Sequence, residues 1–377
     1  MPDSYWLAEP HAGLPVRRLE APPDVVVVGG GMTGCSAALA LARAGLRVRL
    51  HEAREIASGA SGRNGGFALR GAAAPYDAIA ASLGRERAAA LWRWTEAAIE
   101  ELREPAGDAF RPTGSMRLAA DEEEREELRA EWEALTADGF GAEWVDEPGG
   151  PLAGRYPAAI FHPPDGAIQP ARLVRRLAAQ AVDAGVEIRE QSRLDTVEQA
   201  GADTVLVATD GYPSGLLGEL EGLIVPTRGQ MIATEPVPET LFEVPHSGRH
   251  GFDYWQQTPD RRILAGGFRD TSLESELTAE EETTPPIQEA LEAFVADLVG
   301  WPLQIEQRWA GIFGLVLDFL PVVGRVPGRE GVWVAGGYSG HGNVLGFACG
   351  KLAARAIAGD RDPLLDLFEP ARLLAAT

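Results

Sequence analysis

Gly29, Gly31 and Gly34 form a G-x-G-x-x-G run that directly follows the β-branched stretch Asp24–Val28 and opens a helix-period stretch, Met32–Ala44. Gly45 stops that helix, and Leu46–Leu50 is a second apolar run ending in His51 and Glu52. Strand, glycine turn, helix and strand in this order make a parallel βαβ unit. The glycines let a pyrophosphate approach the backbone at the helix N-terminus, and an acid at the end of the second strand accepts hydrogen bonds from a ribose 2′-hydroxyl. Glu52 stands at that place and disfavours NADP. The pattern predicts a dinucleotide site but does not by itself separate FAD from NAD.

Beyond this unit the pattern predicts helices over Tyr76–Glu104, Asp121–Asp138 and Pro170–Ala184, with strands at Gly114–Ala119, Val186–Glu190 and Thr204–Ala208. Arg228–Gly267 alternates like an antiparallel sheet over a pocket. A helix near Pro286–Val299 and strands around Ile305–Ile312 and Leu320–Gly324 follow. Gly331–Ala335 then returns as a core strand before a long C-terminal helix. The nucleotide domain is therefore discontinuous. The acidic residues of Asp121–Glu127 read as a solvated helix face.

The 377 residues suffice for two domains, and a formal charge of -22 with a single lysine, Lys351, argues against a nucleic-acid surface. Cys35 and Cys349 fall in helical patterns and suggest neither a disulfide framework nor a metal site. No apolar run is long enough for a membrane span, and the residues before Asp24 lack a signal-peptide core, so a cytoplasmic protein is expected.

The segment Gly59-Ala60-Ser61-Gly62-Arg63-Asn64-Gly65-Gly66 resembles the loop that D-amino acid oxidase-type flavoenzymes place between pyrophosphate and isoalloxazine. Ser4-Tyr5-Trp6, Asp24–Gly34 and Ala57–Gly66 are most similar to the gamma-glutamylputrescine oxidase-like branch of that superfamily. The resemblance resumes at Phe161–Leu173, at Asp203–Tyr212, at Pro226–Gln230 and at Gly336–Asn343. It implies a mixed α/β fold: a glutathione-reductase-like, Rossmann-type FAD-binding domain (residues 1–74, 150–225 and 325–377) and an antiparallel-sheet substrate domain (75–149 and 226–324). It also implies noncovalent FAD, contacted by Gly29, Gly31, Met32, Thr33 and Gly34, by Glu52, Ala53 and Arg54, and by Ser61, Gly62, Arg63, Asn64, Gly65 and Gly66. Further contacts are expected at Val197, Thr209 and Gly211 and at Gly337, Tyr338, Ser339, Gly340, His341, Gly342 and Asn343. The family's β-meander between Val186 and Ala208 is shortened here, and Val197 is placed across that gap.

The reaction implied is hydride transfer from a carbon bearing nitrogen to flavin N5, with the imine then hydrolysed. Dioxygen is the expected acceptor, giving hydrogen peroxide. A same-fold dehydrogenase passing electrons to a quinone or carrier protein, and a non-catalytic flavin protein, are the alternatives. The pocket candidates are His341, Tyr254, Trp255 and Arg269, while His51, His162, His246 and His250 read as structural. Phe313 stands where glycine oxidase and D-amino acid oxidase carry a carboxylate-binding arginine, so Arg269 or Arg228 is left to hold any substrate anion. By similarity to monomeric sarcosine oxidases, Gly311 replaces the flavin-linking cysteine and Leu264 the lysine that promotes reaction with oxygen. The expected substrate is a small amine or amino acid, shifted toward amines or longer molecules with a distant anion.

Overall fold

Val25–Val28 is four valines, a stiff run with no polar side chain that is stable only where both faces are buried. In the computed structural model, which describes residues 4–212 and 215–374, it lies inside a six-stranded sheet. The order is Val322–Arg325, Val332–Gly336, Thr204–Val207, Val25–Val28, Val48–His51 and Glu187–Arg189. Its pairs are parallel except for the edge strand Val322–Arg325, which runs antiparallel to Val332–Gly336. Helices Met32–Arg43 and Gly342–Ile357 pack together on this sheet. Their close approach requires a bare backbone at Gly350, where an added Cβ would stand 2.4 Å from the Thr33 carbonyl oxygen.

An eight-stranded sheet faces the first. Its order is Ile305–Leu315, Val225–Pro236, Arg262–Gly267, Asp253–Gln257, His246–Gly248, Ser115–Ala119, Ala158–His162 and Glu143–Asp146. The expected antiparallel arrangement holds except where His246–Gly248 pairs parallel with Ser115–Ala119, so the sheet is mixed. Helix Pro285–Val299 joins a core of Trp255, Ile263, Ile287 and Leu291 at this sheet. A small third sheet joins Phe67–Ala68, Gly166–Ile168 and Phe110–Arg111.

Several elements differ from the sequence pattern. Gly84, at φ +86°, breaks the first long helix into Tyr76–Leu83 and Arg85–Ala106. Ala158–His162, within the cofactor domain implied by the resemblance, belongs to the eight-stranded sheet, and residues 322–324 of strand Val322–Arg325, within the implied substrate domain, belong to the six-stranded one. Alternation identifies a strand without saying which sheet receives it. The outer limits set at residues 1 and 377 lie outside the described residues. Along the acidic helix Glu122–Ala137, Asp121 caps the Glu124 amide, but Glu124 is itself buried and accepts the Ala120 and His250 amides at 2.8 and 2.7 Å. That residue is a brace, not part of a solvated face.

Gly350→Ala should cost about 2 kcal/mol by overpacking the helix pair. A lowered thermal unfolding midpoint, with FAD content unchanged, is the expected result.

Candidate active site

The two sheets enclose a cavity of about 1240 Å³. At one end, Gly29 takes φ +112° with its backbone against Ala208, and a Cβ on Gly34 would stand 1.8 Å from the Gly29 carbonyl oxygen. The helix can seat on the turn only because both are glycine. Gly31, Met32 and Thr33 then line the cavity, and Ser61 Oγ accepts the Met32 amide at 2.9 Å. Helix Gly342–Ile357 begins on the same space, and neither helix has an acid in its first turn. Two positive helix ends therefore face one volume. The carboxylate of Glu52 accepts the Gly30 and Arg54 amides at 2.7 and 2.8 Å, leaving lone pairs for hydroxyl donors.

The loop Gly59–Gly66 crosses the cavity and is tied to both sides. Arg63 Nε donates to the Ser58 carbonyl at 2.9 Å, and Trp309 Nε1 donates to the Arg63 carbonyl at 2.9 Å. Asn64 and Asn343 exchange two amide hydrogen bonds, both at 3.0 Å. Gln256 Nε2 donates to the carbonyls of Gly65 and Gly66, and Trp6 Nε1 donates to the Asn64 carbonyl at 2.6 Å.

Two acids outside the expected set complete this end. Asp210, left-handed at φ +50°, accepts the Gly337 amide at 2.7 Å and the Gly314 amide at 3.0 Å, tying its turn to the loop after Val332–Gly336 and to strand Ile305–Leu315. Burial raises its carboxyl above the usual range against backbone donors that lower it. Glu281 enters from the segment after helix Leu273–Glu276 and takes a bidentate pair from Arg54 at 2.6 and 3.2 Å and a hydrogen bond from the Tyr212 hydroxyl. Burial pushes its carboxyl up, but the hydrogen bonds from Arg54 and Tyr212 outweigh this and hold it below the usual range. Neither acid belongs to a glycine motif, and only the turn Ala208-Thr209-Asp210-Gly211 hinted at the first.

At the other end, the Tyr254 ring lies over Gly266, where a Cβ would meet it at 2.5 Å, and stands edge-on to Phe67. Burial pushes its phenol up to about 12, so it keeps its proton at neutral pH. Arg269 stacks 4.5 Å from the Phe252 ring centre and 5.8 Å from that of Phe313. Among the described residues it forms no ion pair, whereas its neighbour Asp270 is taken by Arg249 at 2.7 Å. Arg228, the other candidate anchor, is buried and held bidentate by Glu276 at 2.9 and 2.7 Å. His341 lines the cavity with an unpartnered, buried Nδ1, and burial followed by the Arg117 charge pushes its pKa down to about 4.

A search against protein-family profiles matches residues 24–356 to the DAO family, described as FAD dependent oxidoreductase. The chain belongs to this family. Among its relatives, the probable oxidoreductase OrdL of Haemophilus influenzae is 29% identical, the alignment covering 92% of this chain and 85% of the relative. The gamma-glutamylputrescine oxidoreductase of Escherichia coli is also 29% identical, over 95% and 89% of the two chains. The crystal structure of glycine oxidase from Geobacillus kaustophilus superposes with a TM-score of 0.73 at 23% identity, covering 93% of this chain and 98% of that one. The cofactor of the DAO family is FAD, and the cavity fits it: glycine turn, free helix ends and Glu52 occur in the required order.

Most of the expected cofactor residues line the cavity, among them Ala53, Thr209, Tyr338, Ser339, Gly340 and Gly342. Tyr338 commits its hydroxyl to Thr33 Oγ1 at 2.8 Å. Gly34, Gly62, Gly66, Gly211 and Gly337 lie behind the wall, where close packing leaves no room for a Cβ. Two placements are corrected. Val197 is buried in the core beneath its loop, and Ser192, Arg193 and Leu194 line the cavity instead. Trp255 alternates with Tyr254 along one strand and so points away, into a stack with His246 at 5.1 Å.

His162, His246 and His341 are pushed by burial to about 3, 4 and 4 from an ordinary 6.5. The unfolded chain therefore binds more protons, and stability present above about pH 6.5 is lost as the pH falls toward 4. Unfolding midpoints at pH 7 and pH 5 should differ for the wild type and differ less for His341→Gln.

Proposed function

We propose that this flavoenzyme oxidises the carbon–nitrogen bond of an amine that carries a carboxylate, with Arg269 as the anchor. The observation that carries this reading is a guanidinium on the cavity wall, stacked on two rings and without an acidic partner among the described residues. Burial pulls its pKa below the usual range, yet an arginine remains a cation at neutral pH. A planar fork held in this way suits a carboxylate. Tyr254, protonated beside it, adds a neutral donor.

Bound FAD supplies the two-electron acceptor, and the oxidised carbon–nitrogen bond is then open to hydrolysis to a carbonyl and an amine or ammonia. The cavity residues favour the neutral amine, because desolvation disfavours an ammonium and the Arg269 cation on the wall repels it. His341 is too weak a base to titrate near 6.5. The groups left to shape the pH profile of kcat/KM are the substrate ammonium and Asp165, a cavity carboxyl that burial raises to about 6. Dioxygen is the acceptor in this reading, and the cofactor is noncovalent, since neither Cys35 nor Cys349 lines the cavity.

An anaerobic absorbance scan against N-alkyl amino acids, both amino acid enantiomers, gamma-glutamylated amines and simple amines tests this. Carboxylate-bearing amines should bleach the flavin band, and air should restore the colour with release of peroxide. Slow return in air would assign a dehydrogenase, and no bleaching by any amine would sink the proposal. Arg269→Met should raise KM for the active substrate roughly 10-fold or more. Acid precipitation should release the yellow colour.

A further inference from the structure

Arg117 lies outside every motif, yet its side chain lines the cavity. In register it stands opposite Ser247, and Ser247 stands opposite Tyr254, so the three form one row across neighbouring strands. Two strand spacings place its backbone roughly 10 Å from that of Tyr254. Arg269 follows strand Arg262–Gly267, on the opposite side of Tyr254 from Arg117.

The polar groups around Arg117 are unequally spent. One terminal nitrogen donates to Glu131 Oε2 at 2.6 Å, and the other oxygen of Glu131 accepts the Tyr76 amide at 3.1 Å. Asp165 is filled by Ser115 Oγ at 2.6 Å and the Arg70 amide at 3.0 Å. Arg70 is held by Glu96, by the Gly141 carbonyl at 2.6 Å and by His162 Nδ1 at 3.3 Å. Accepting at Nδ1 puts the ring proton of His162 on Nε2, and His162 also lines the cavity. Among the described residues, the two remaining guanidinium nitrogens of Arg117 make no hydrogen bond. Each carboxylate oxygen of Glu131 and Asp165 has a donor, and what is left over is the fork edge of Arg117, the buried Nε of Arg70 and a neutral N–H.

We infer that this end of the cavity is a second anion subsite, centred on Arg117 with His162 beside it, which receives a carboxylate at the far end of an elongated substrate. The substrate class is then an amine bearing two carboxylates, one on each side of Tyr254. The Arg269 half of this assignment rests on the function proposed above, while the Arg117 half stands on its own groups.

The FAD-loaded protein is titrated with straight-chain α,ω-dicarboxylates and with monocarboxylates of equal length, reading the perturbation of the flavin absorbance. These ligands contain no nitrogen and are not oxidised. Dicarboxylates of a favoured length should bind roughly 10-fold tighter than the matching monocarboxylates. Arg117→Met should abolish that margin and leave monocarboxylate binding unchanged, and Arg117→Lys should retain part of it. Should Arg117→Met fail to fold, Glu131→Gln decides: removing the competing charge should tighten dicarboxylate binding, and unchanged affinity overturns the subsite. The absence of a margin in the wild type, or its survival in folded Arg117→Met, overturns it as well. If Arg269→Met leaves monocarboxylate binding intact while the margin still depends on Arg117, the Arg269 anchor fails and the second subsite stands.

Discussion

A space of this size between two sheets persists only if something rigid keeps them from collapsing onto each other, because burying apolar surface would otherwise close it. The loop Gly59–Gly66 is that prop. Its polar groups are committed to both sides: Arg63 to Ser58 and, through its carbonyl, to Trp309, Asn64 to Asn343, and Gly65 and Gly66 to Gln256. Few of these bonds are exposed to water, so each is costly to leave unmade. Both helix ends and the Tyr254 ring lie against that brace, through Ser61 and Met32, Asn64 and Asn343, and Gly65.

The chain uses arginine in two opposite ways around the cavity. Arg228 is buried against the Glu276 carboxylate and also donates to the Ser275 and Glu280 carbonyls at 3.1 and 3.4 Å, because a cation so deep needs a full complement of acceptors. Arg269 is less deeply placed and spreads its charge over ring faces, which offset part of the desolvation without consuming its hydrogen-bond donors. Such a group keeps its directional bonding for an incoming molecule. The net charge of -22 adds a contrast of scale. At long range the protein repels anions, and only within about a Debye length of these arginines does the local field reverse.

Much of the nucleotide end was legible because its signals are local. Strand, glycine turn, helix and Glu52 occupy consecutive residues, and each needs only its neighbours to be recognised. The two acids that complete this end, and the substrate end as a whole, are built from contacts that no window of sequence contains. Arg54 meets Glu281 across 227 positions and Asp210 meets Gly337 across 127. Tyr254 and Trp255 are both pocket candidates by sequence, although alternation along a strand lets only one of them face the cavity, and nothing local says which. Val197 was misplaced because a shortened connection changed the count of residues. Arg117 gave no signal at all, since a lone arginine on a strand is indistinguishable from a surface one until the strand order is known.

The pairing of His246–Gly248 with Ser115–Ala119 carries a consequence for synthesis. The strand Ser115–Ala119 leaves the ribosome long before its parallel partner, and Thr204–Val207 likewise precedes Val332–Gly336. Each sheet must wait, half-formed and with open edges, for strands made much later. The nascent chain is therefore most exposed to wrong pairing in mid-translation, and its dependence on chaperones should be concentrated there.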